Sequence, residues 1–284
     1  MGVTGRGACY SWRAVATAMT LQFTKYEGLG NDFIVVDAPH PQAFSPEDAR
    51  RLCDRHFGIG GDGLLLVSPG QRPGARATMT VLNADGSRPE MCGNGLRCVA
   101  LHLAQRDGVR DVDYAIDTDA GPRGCQVRGA DVGAEISLDM GQAVLLDPLS
   151  AQYAGRSYEF HRVSTGNPHA IAFDAPLDDA AIDQFAPTIS AAIPGGSNVE
   201  FVTPITPGTF RVVVWERGVG RTLACGTGAV AVAVAAVATG RAAQDQPISL
   251  HLPGGELVVT VRTSALLTTL RGPARRVFSG QWSR

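Results

Sequence analysis

The sequence predicts an α+β protein made of two pseudo-symmetric lobes, each a mixed β-sheet or barrel wrapped around one central helix. Two observations lead to this prediction. A cysteine followed at once by a glycine-rich helix start occurs twice, as Cys92-Gly93-Asn94-Gly95 and as Cys225-Gly226-Thr227-Gly228. Short strand patterns surround both predicted helices, and mixed strands around one apolar helix are typical of α+β folds. A chain of 284 residues is long enough for two such cores.

In the first half, a helix is expected over 45–54, because Ser45 can cap its start and Pro46 fits its first turn. A second helix is expected over 95–106, and Asp107-Gly108 ends it. Strands are predicted where apolar and polar residues alternate between turn residues, at 21–26, 33–37, 64–67, 78–83, 114–117, 124–128 and 135–140.

The second half repeats this arrangement, with helices expected over 180–186 and 226–238. The second of these is apolar all round, which predicts a buried centre, and it is too short to span a bilayer. The strands of this half are predicted at 158–164, 170–173, 198–202, 210–215, 248–252, 256–262 and 267–271.

These elements set the expected domain limits. The N-terminal lobe is predicted over 20–136, with 271–284 as a candidate strand returning to it, and the C-terminal lobe over 137–270. Residues 1–19 match neither lobe and are expected to be a disordered extension.

Composition excludes several function classes. A net charge of −2 provides no basic surface for nucleic acid and no polybasic patch for a membrane. The six cysteines are widely spread, which favours a reducing compartment over a disulfide scaffold. No Cys/His cluster has the spacing of a metal site, Cys98 and His102 being the nearest candidates. A pyridoxal enzyme needs a Schiff-base lysine, and the only lysine is Lys25, in a predicted strand.

Gly58-Ile59-Gly60-Gly61-Asp62-Gly63 matches the G-x-G-x-x-G pattern of dinucleotide-binding loops. The context differs, because the pattern follows a predicted helix and precedes a predicted strand, whereas the dinucleotide loop needs the opposite order. The segment is therefore interpreted as a glycine-rich turn in which the backbone closely approaches a ligand or a neighbouring segment.

The paired cysteines indicate acid/base chemistry. Helix N-termini favour the thiolate, and glycines after each cysteine let backbone N–H groups approach an anion. A carboxylate bound between the two helices would be stabilised as negative charge develops on its α-carbon. One thiolate could then remove the Cα proton of an amino acid while the opposite thiol protonates the other face. This scheme inverts the stereocentre and requires no cofactor.

Seven motifs resemble those of the diaminopimelate epimerase family, and the resemblance extends from about Leu21 to the C-terminus. They are Gly30-Asn31-Asp32-Phe33, Asn83-Ala84-Asp85-Gly86-Ser87, Met91-Cys92-Gly93-Asn94-Gly95, Gly166-Asn167-Pro168-His169, Asn198-Val199, Glu216-Arg217-Gly218 and Cys225-Gly226-Thr227-Gly228. The resemblance implies a cytoplasmic, often homodimeric isomerase, independent of pyridoxal phosphate. Its reaction converts L,L-diaminopimelate to the meso isomer in the synthesis of lysine and peptidoglycan precursors.

The resemblance also implies roles for single residues. Cys92 and Cys225 would form the acid/base pair, and His169 and Glu216 would tune the thiols. The substrate's amino and carboxylate groups would be bound by Asn31, Asn83, Asn167, Asn198, Glu216 and Arg217, and the reacting carboxylate would be held by Gly93, Asn94, Gly226 and Thr227. The expected partner is therefore this small-molecule substrate, with no metal, nucleic acid or membrane.

The chain departs from the family pattern at Gly63, which stands where some family members place a substrate-contacting glutamine. Three different functions are compatible with the paired cysteines. A proline-racemase-like enzyme uses a similar cysteine pair, although that group usually has histidine where Asn94 stands. A catalytically silent amino-acid-binding relative would keep the fold without the reaction. A redox protein would join the two cysteines in a regulatory disulfide.

Overall fold

The structure, a computed structural model, describes residues 20–129, 131–262 and 265–283. The predicted extension at residues 1–19 lies outside the described residues. The elements of the first half are β1 (Thr20–Gly28), β2 (Asn31–Asp37), α1 (Pro46–Cys53), β3 (Gly63–Pro69), β4 (Ala77–Asn83), α2 (Gly93–Asp107), β5 (Asp111–Thr118), β6 (Gly121–Arg128) and β7 (Gly133–Gln142).

The second half consists of β8 (Val144–Tyr153), β9 (Arg156–Ser164), β10 (Pro168–Phe173), α3 (Asp179–Ala192), β11 (Asn198–Thr206), β12 (Thr209–Glu216), β13 (Gly220–Thr222), α4 (Gly226–Ala238), β14 (Pro247–Leu252), β15 (Gly255–Arg262) and β16 (Leu267–Ser283). In the described part of the chain, no helix is both long and apolar enough to cross a bilayer.

The first seven strands form a closed barrel together with the C-terminal strand. β1 to β7 are neighbours in chain order, and β16 pairs with both β7 and β1. Thr20 lies opposite Ser283 and Glu27 opposite Arg275, so β16 returns to the first half of the chain. Closure leaves this sheet without a free edge.

The second half forms a sheet in the order β16-β15-β14-β12-β11-β10-β9-β8. It shares β16 with the barrel, because residues 267–271 lie between β7 and β15. Among the described residues β8 pairs only with β9 and is therefore an edge strand.

The two halves share one topology. In each half, an outer helix connects two adjacent parallel strands: α1 connects β2 to β3, and α3 connects β10 to β11. Each half then places a second parallel pair across its central helix, β4 with β5 across α2 and β12 with β14 across α4. This internal repeat confirms the prediction of two pseudo-symmetric lobes, each with a mixed sheet around one helix.

The helices divide into central and outer ones. α2 and α4 lie inside the sheets and contribute to one continuous core that extends through both halves. α1 and α3 pack on the outside over two smaller apolar clusters. Because every residue from Ala229 to Ala236 is buried, the apolar sequence of α4 places it at the centre of its lobe, as predicted.

Several elements differ from their predicted form. The sequence pattern predicts no strand at β8, where Pro148 stands in the middle of the segment. The proline fits because β8 is an edge strand with a register shift between Leu146 and Leu149. α3 continues past Pro187, since Ile182, Phe185 and Ile189 form one buried face on both sides of the proline. The short strand β13 is also absent from the predicted elements.

Candidate active site

Two cysteines occupy the same structural position on the two central helices. Cys92 is the N-cap of α2, with φ −138° and ψ 112°, and its Sγ accepts the N–H of Gly95 at 3.4 Å. Cys225 is the N-cap of α4, with φ −125° and ψ 112°, and its Sγ accepts the N–H of Gly228 at 3.3 Å. Each thiol therefore takes the place of the usual Ser, Thr or Asp cap oxygen.

The first turns of these helices meet between the lobes. A Cβ built on Gly93 would lie 4.0 Å from the Cα of Gly226, and one built on Gly226 would lie 3.8 Å from the Cα of Gly93. The two glycine backbones are thus so close that a methyl group on either would touch the other, and a cysteine immediately precedes each. N–H groups in a first helical turn have no intrahelical backbone acceptor, so both turns present donors in this region, of which those of Gly95 and Gly228 bind the two thiols.

Asn94 links the two lobes at this junction. Its buried side-chain amide donates to Asn31 Oδ1 at 3.1 Å and to the carbonyl of Ala224 at 3.2 Å. Ala224 directly precedes Cys225, and Asn31 begins β2. The Asn94 Nδ2 group therefore connects the start of α2 both to the β1–β2 hairpin and to the segment that carries the second thiol.

Asn31 is oriented by a charged cluster that sequence reasoning missed. Its Nδ2 group donates to Asp62 Oδ2 at 2.7 Å, and Arg55 binds the other oxygen of Asp62 at 2.8 Å. Asp62 belongs to the glycine-rich segment that matches the dinucleotide pattern. This segment lies between α1 and β3, and a Cβ on Gly58 would be 2.2 Å from the carbonyl oxygen of Arg51. Close packing of the backbone therefore accounts for the first glycine of the pattern.

On the side of the second thiol, hydrogen bonds connect four polar side chains. Thr227 Oγ1 lies 3.4 Å from Cys225 Sγ and accepts from Asn167 Nδ2 at 3.4 Å. Asn167 Oδ1 lies 3.1 Å from His169 Nε2. The other ring nitrogen of His169 lies 2.7 Å from Glu200, a buried carboxylate that no sequence motif singled out. Within the described part of the chain, hydrogen bonds between side chains therefore connect His169 to the thiol through Asn167 and Thr227.

Asn198 and Arg217 form a second polar group in the C-terminal lobe. Asn198 Oδ1 accepts the backbone N–H of Arg217 at 2.9 Å. The Arg217 side chain lies over the Gly195-Gly196 turn, where it donates to the Gly195 carbonyl. Gly196 has φ +77°, and a Cβ there would be 2.6 Å from Arg217 Cδ. Only glycine satisfies both the backbone conformation and the contact.

Asn83 lies at the end of β4 and is engaged in its own turn, where its Nδ2 group donates to Ser87 Oγ at 2.9 Å. Gly63 is its partner in the β3–β4 register. The position at which some family members place a glutamine is therefore adjacent to Asn83. A Cβ on Gly63 would lie 3.0 Å from the Leu82 carbonyl and 3.3 Å from Phe33 Cδ1, so a side chain there would require its neighbours to move.

Burial controls the ionisation of the two thiols. Burial raises the pKa of Cys92 and opposes the N–H of Gly95, which lowers it. Burial raises the pKa of Cys225 further, and the carboxylates of Glu216 and Glu200 add to the increase. The N–H groups at the helix starts lower both thiol pKa values, as expected, but the loss of solvation outweighs them and both pKa values are raised overall.

Glu216 lies within electrostatic range of both thiols. Burial raises its own pKa, although the Thr222 hydroxyl, which donates to Glu216 Oε1 at 2.6 Å, opposes the shift. A carboxyl group with a raised pKa is a stronger base than an ordinary glutamate, which suits proton exchange with a thiol.

The described residues contain no group of three or more His, Cys, Asp or Glu side chains arranged to hold a metal. Lys25, the one candidate for a Schiff-base lysine, is buried and paired with Asp32 at 2.5 Å. The described cysteines are free thiols.

The fold is shared with solved racemases and epimerases. A probable proline racemase from Agrobacterium radiobacter superposes with a TM-score of 0.73 over 93% of each chain at 16% identity. A hydroxyproline epimerase from Agrobacterium vitis also gives 0.73, over 93% of this chain and 92% of that one. The Bacillus anthracis phenazine biosynthesis protein gives 0.72 at 14% identity, over 94% of this chain and 100% of that one. At these identities the likeness establishes the fold.

Sequence relatives define the family within this fold. The family model described as diaminopimelate epimerase matches residues 23–146 and 162–277. The diaminopimelate epimerase of Synechocystis sp. is 41% identical, over 93% of this chain and 99% of its own length. That of Desulforudis audaxviator is 42% identical, over 93% of this chain and 100% of its own. The chain belongs to the diaminopimelate epimerase family, which confirms the resemblance seen in its motifs.

Proposed function

We propose that this protein converts L,L-diaminopimelate to meso-diaminopimelate by inverting one Cα centre, with Cys92 and Cys225 as base and acid. The observation that carries the proposal is the contact between the Gly93 and Gly226 turns, each preceded by a cysteine cap. A Cα held between these turns has one thiol near each face, which is the arrangement that inversion requires.

The first chemical requirement is to stabilise the carbanion. The reacting carboxylate binds to the N–H groups of the two helix starts, at Gly93, Asn94, Gly226 and Thr227. Negative charge that develops on Cα delocalises into this carboxylate, where preorganised donors stabilise it more strongly in the transition state than in the ground state.

The second requirement is one thiolate opposite one thiol. Burial keeps both groups neutral in the free protein, so one proton must leave before the reaction begins. Glu216 lies near both thiols and has a raised pKa, which makes it the proposed acceptor. The thiolate then takes the Cα proton, the opposite thiol gives its proton to the other face, and the product leaves with the configuration reversed.

The remaining polar groups bind the distal end of the substrate. Arg217, fixed over the Gly195-Gly196 turn, can bind the distal carboxylate with two parallel hydrogen bonds. The amide side chains of Asn31, Asn83, Asn167 and Asn198 supply both donors and acceptors for the amino and carboxylate groups.

The proposal includes a cytoplasmic homodimer that needs no added cofactor. Free thiols at all the described cysteines suit a reducing compartment. A second copy could bind the edge strand β8, where Val144, Leu145 and Leu146 are exposed, because unpaired strand edges are templates for association. The molar mass of the protein, measured by light scattering as it elutes from a size-exclusion column, tests the dimer. Twice the mass of one chain is expected.

The test of function is proton NMR of L,L-diaminopimelate with reduced protein in D2O, with L-proline as a parallel substrate and no added pyridoxal phosphate or metal. Loss of the Cα proton signal together with formation of the meso isomer is expected, and no exchange in proline. Exchange in proline alone would replace the proposal with a proline-racemase activity. No exchange in either substrate would favour a silent binding protein.

A further inference from the structure

Glu200 is a fully buried carboxylate in the middle of the apolar strand β11. It lies between Val199 and Phe201, and its exposed fraction is 0%. One oxygen, Oε1, lies 2.7 Å from His169 Nδ1, and the histidine side chain is equally buried. The other oxygen has no hydrogen-bond partner among the described residues. A buried carboxylate with a single partner is costly, so its retention requires a reason.

The two ring nitrogens of His169 both face oxygen atoms. Nδ1 faces Glu200 Oε1, and Nε2 faces Asn167 Oδ1 at 3.1 Å. In this orientation of the Asn167 amide, its Nδ2 group donates to Thr227 Oγ1 and its Oδ1 also accepts from the Thr165 hydroxyl at 3.1 Å. An ionised Glu200 carboxylate and the Asn167 carbonyl are both acceptors, so an imidazole that donates to both must carry a hydrogen on each nitrogen.

The carboxylate also packs directly against the start of α4. A Cβ built on Gly228 would lie 2.7 Å from Glu200 Oε1, so glycine leaves the space that the carboxylate occupies. Gly228 is the residue whose N–H donates to Cys225 Sγ. Glu216 and the Cys225 thiol are further titratable groups that interact electrostatically with this region.

We propose that Glu200 is a positioning residue that holds His169 doubly protonated, so that His169 fixes the Asn167 amide and, through it, Thr227 beside the Cys225 thiol. The proton stays on the histidine throughout, and no bond is made or broken at Glu200. This inference rests on the proposed epimerase function for its kinetic consequence, whereas the state of the His169–Glu200 pair can be measured without any substrate.

The pair is tested first by NMR on the wild-type protein labelled with 15N-histidine. Comparison with a His169→Gln sample assigns the His169 signals among those of the six histidines. At neutral pH both His169 ring nitrogens are expected to be protonated. A ring with an unprotonated Nε2 would mean that the Asn167 amide has the opposite orientation, and a ring with an unprotonated Nδ1 would place the proton on Glu200. Either result would overturn the proposal.

The kinetic test is Glu200→Gln, which preserves side-chain shape and an acceptor for Nδ1–H but removes the charge. Glu159→Gln, a change of the same chemistry on an exposed residue of β9, is the matched control. For Glu200→Gln we expect kcat to fall about 10–100-fold, the range found when a carboxylate that orients a metal-bound histidine is removed. KM should rise less than kcat falls, because Asn167 and Thr227 lose part of their support while the other proposed substrate-binding groups are unchanged. The His169 ring should lose one proton.

The outcomes separate this inference from the proposed function. Wild-type kcat in Glu200→Gln with an unchanged His169 spectrum would overturn the positioning role. If the Glu200→Gln protein does not fold, the wild-type spectrum alone decides the state of the pair. A doubly protonated His169 in a wild-type protein without epimerase activity would support the pair and contradict the function.

Discussion

The side-chain amide of Asn94 donates to the backbone carbonyl of Ala224, 3.2 Å away and in the opposite lobe. The same nitrogen donates to Asn31 Oδ1. The buried Asn94 side chain therefore connects three segments: the β1–β2 hairpin, the first turn of α2 and the residues that directly precede Cys225. We therefore expect the alignment of the two thiols to depend on this contact.

Asn94→Ala should impair both stability and catalysis. The change removes the donor from the buried Ala224 carbonyl and from the half-buried Asn31 Oδ1, and an unpaired buried acceptor typically costs about 1–3 kcal/mol of unfolding free energy. It also frees the two helix starts to shift, which should lower kcat/KM by about 10–100-fold, since small misplacements at a reacting centre have effects of this size. Urea unfolding and initial rates measure the two effects. Gln126→Ala, an exposed amide on β6, is the control, and equal behaviour of the two variants would contradict the role of Asn94.

The thiol pKa values predict slow alkylation at neutral pH. Burial raises the pKa of Cys92 above 9.0, the ordinary value for a thiol, so the group is protonated at pH 7 and its thiolate fraction increases with pH. The rate of iodoacetamide labelling at Cys92, followed by mass spectrometry of the peptide, should reach half its maximum at a higher pH than the labelling of N-acetylcysteine, the reference thiol in the same solution. A labelling midpoint at a lower pH than that of N-acetylcysteine would show that the helix N–H groups, and not burial, have the larger effect on the pKa of Cys92.

Glu216→Gln should separate thiol reactivity from turnover. The Glu216 carboxylate raises the pKa of both Cys92 and Cys225, so removing its charge should lower both values and speed alkylation at pH 8. Epimerisation should nevertheless fall by about 10²-fold or more, because the proposed proton acceptor is lost. Glu256→Gln, which alters an exposed residue of β15, should change neither rate. Faster alkylation together with faster turnover would exclude Glu216 as the acceptor.

Arg217→Lys tests the proposed distal carboxylate contact. Lysine keeps the charge but cannot form the two parallel hydrogen bonds of a guanidinium. Loss of one such bond, worth about 1.5–3 kcal/mol, should raise KM for L,L-diaminopimelate about 10–100-fold with a smaller change in kcat. Arg211→Lys, on an exposed position of β12, serves as the matched control. An unchanged KM would place the distal carboxylate elsewhere.

Much of the fold could be predicted from the sequence because its signals are local. Ser45 and Pro46 mark the start of α1, and the apolar run of α4 indicates its bounds of Gly226–Ala238. Pro148 and Pro187 mislead a prediction from sequence because their tolerance depends on long-range structure. An edge position in β8 and a buried face on α3 tolerate proline, and neither property can be read from neighbouring residues.

The functional site shows the same contrast between local signals and contacts that depend on distant residues. Cys92 and Cys225 are conspicuous because cysteine before a glycine-rich helix start is chemically distinctive. Asp62 and Glu200 provide weaker signals, an acid in a glycine loop and a charge inside an apolar strand, and their partners Asn31 and His169 are distant in sequence. The thiol pKa values could not be predicted, since they depend on burial that only the packed lobes produce.

The central claim, that two thiols act on opposite faces of one carbon, is tested most directly by isotope distribution at low conversion. L,L-diaminopimelate is incubated with the wild-type protein in D2O, and deuterium at Cα is measured separately in the meso product and the remaining substrate. The account predicts deuterium at the inverted centre of the product and almost none in the recovered substrate, because one thiol removes the proton and the other delivers solvent deuterium. Equal deuterium in both, or product that retains the original proton, would indicate a single base and contradict the two-thiol mechanism.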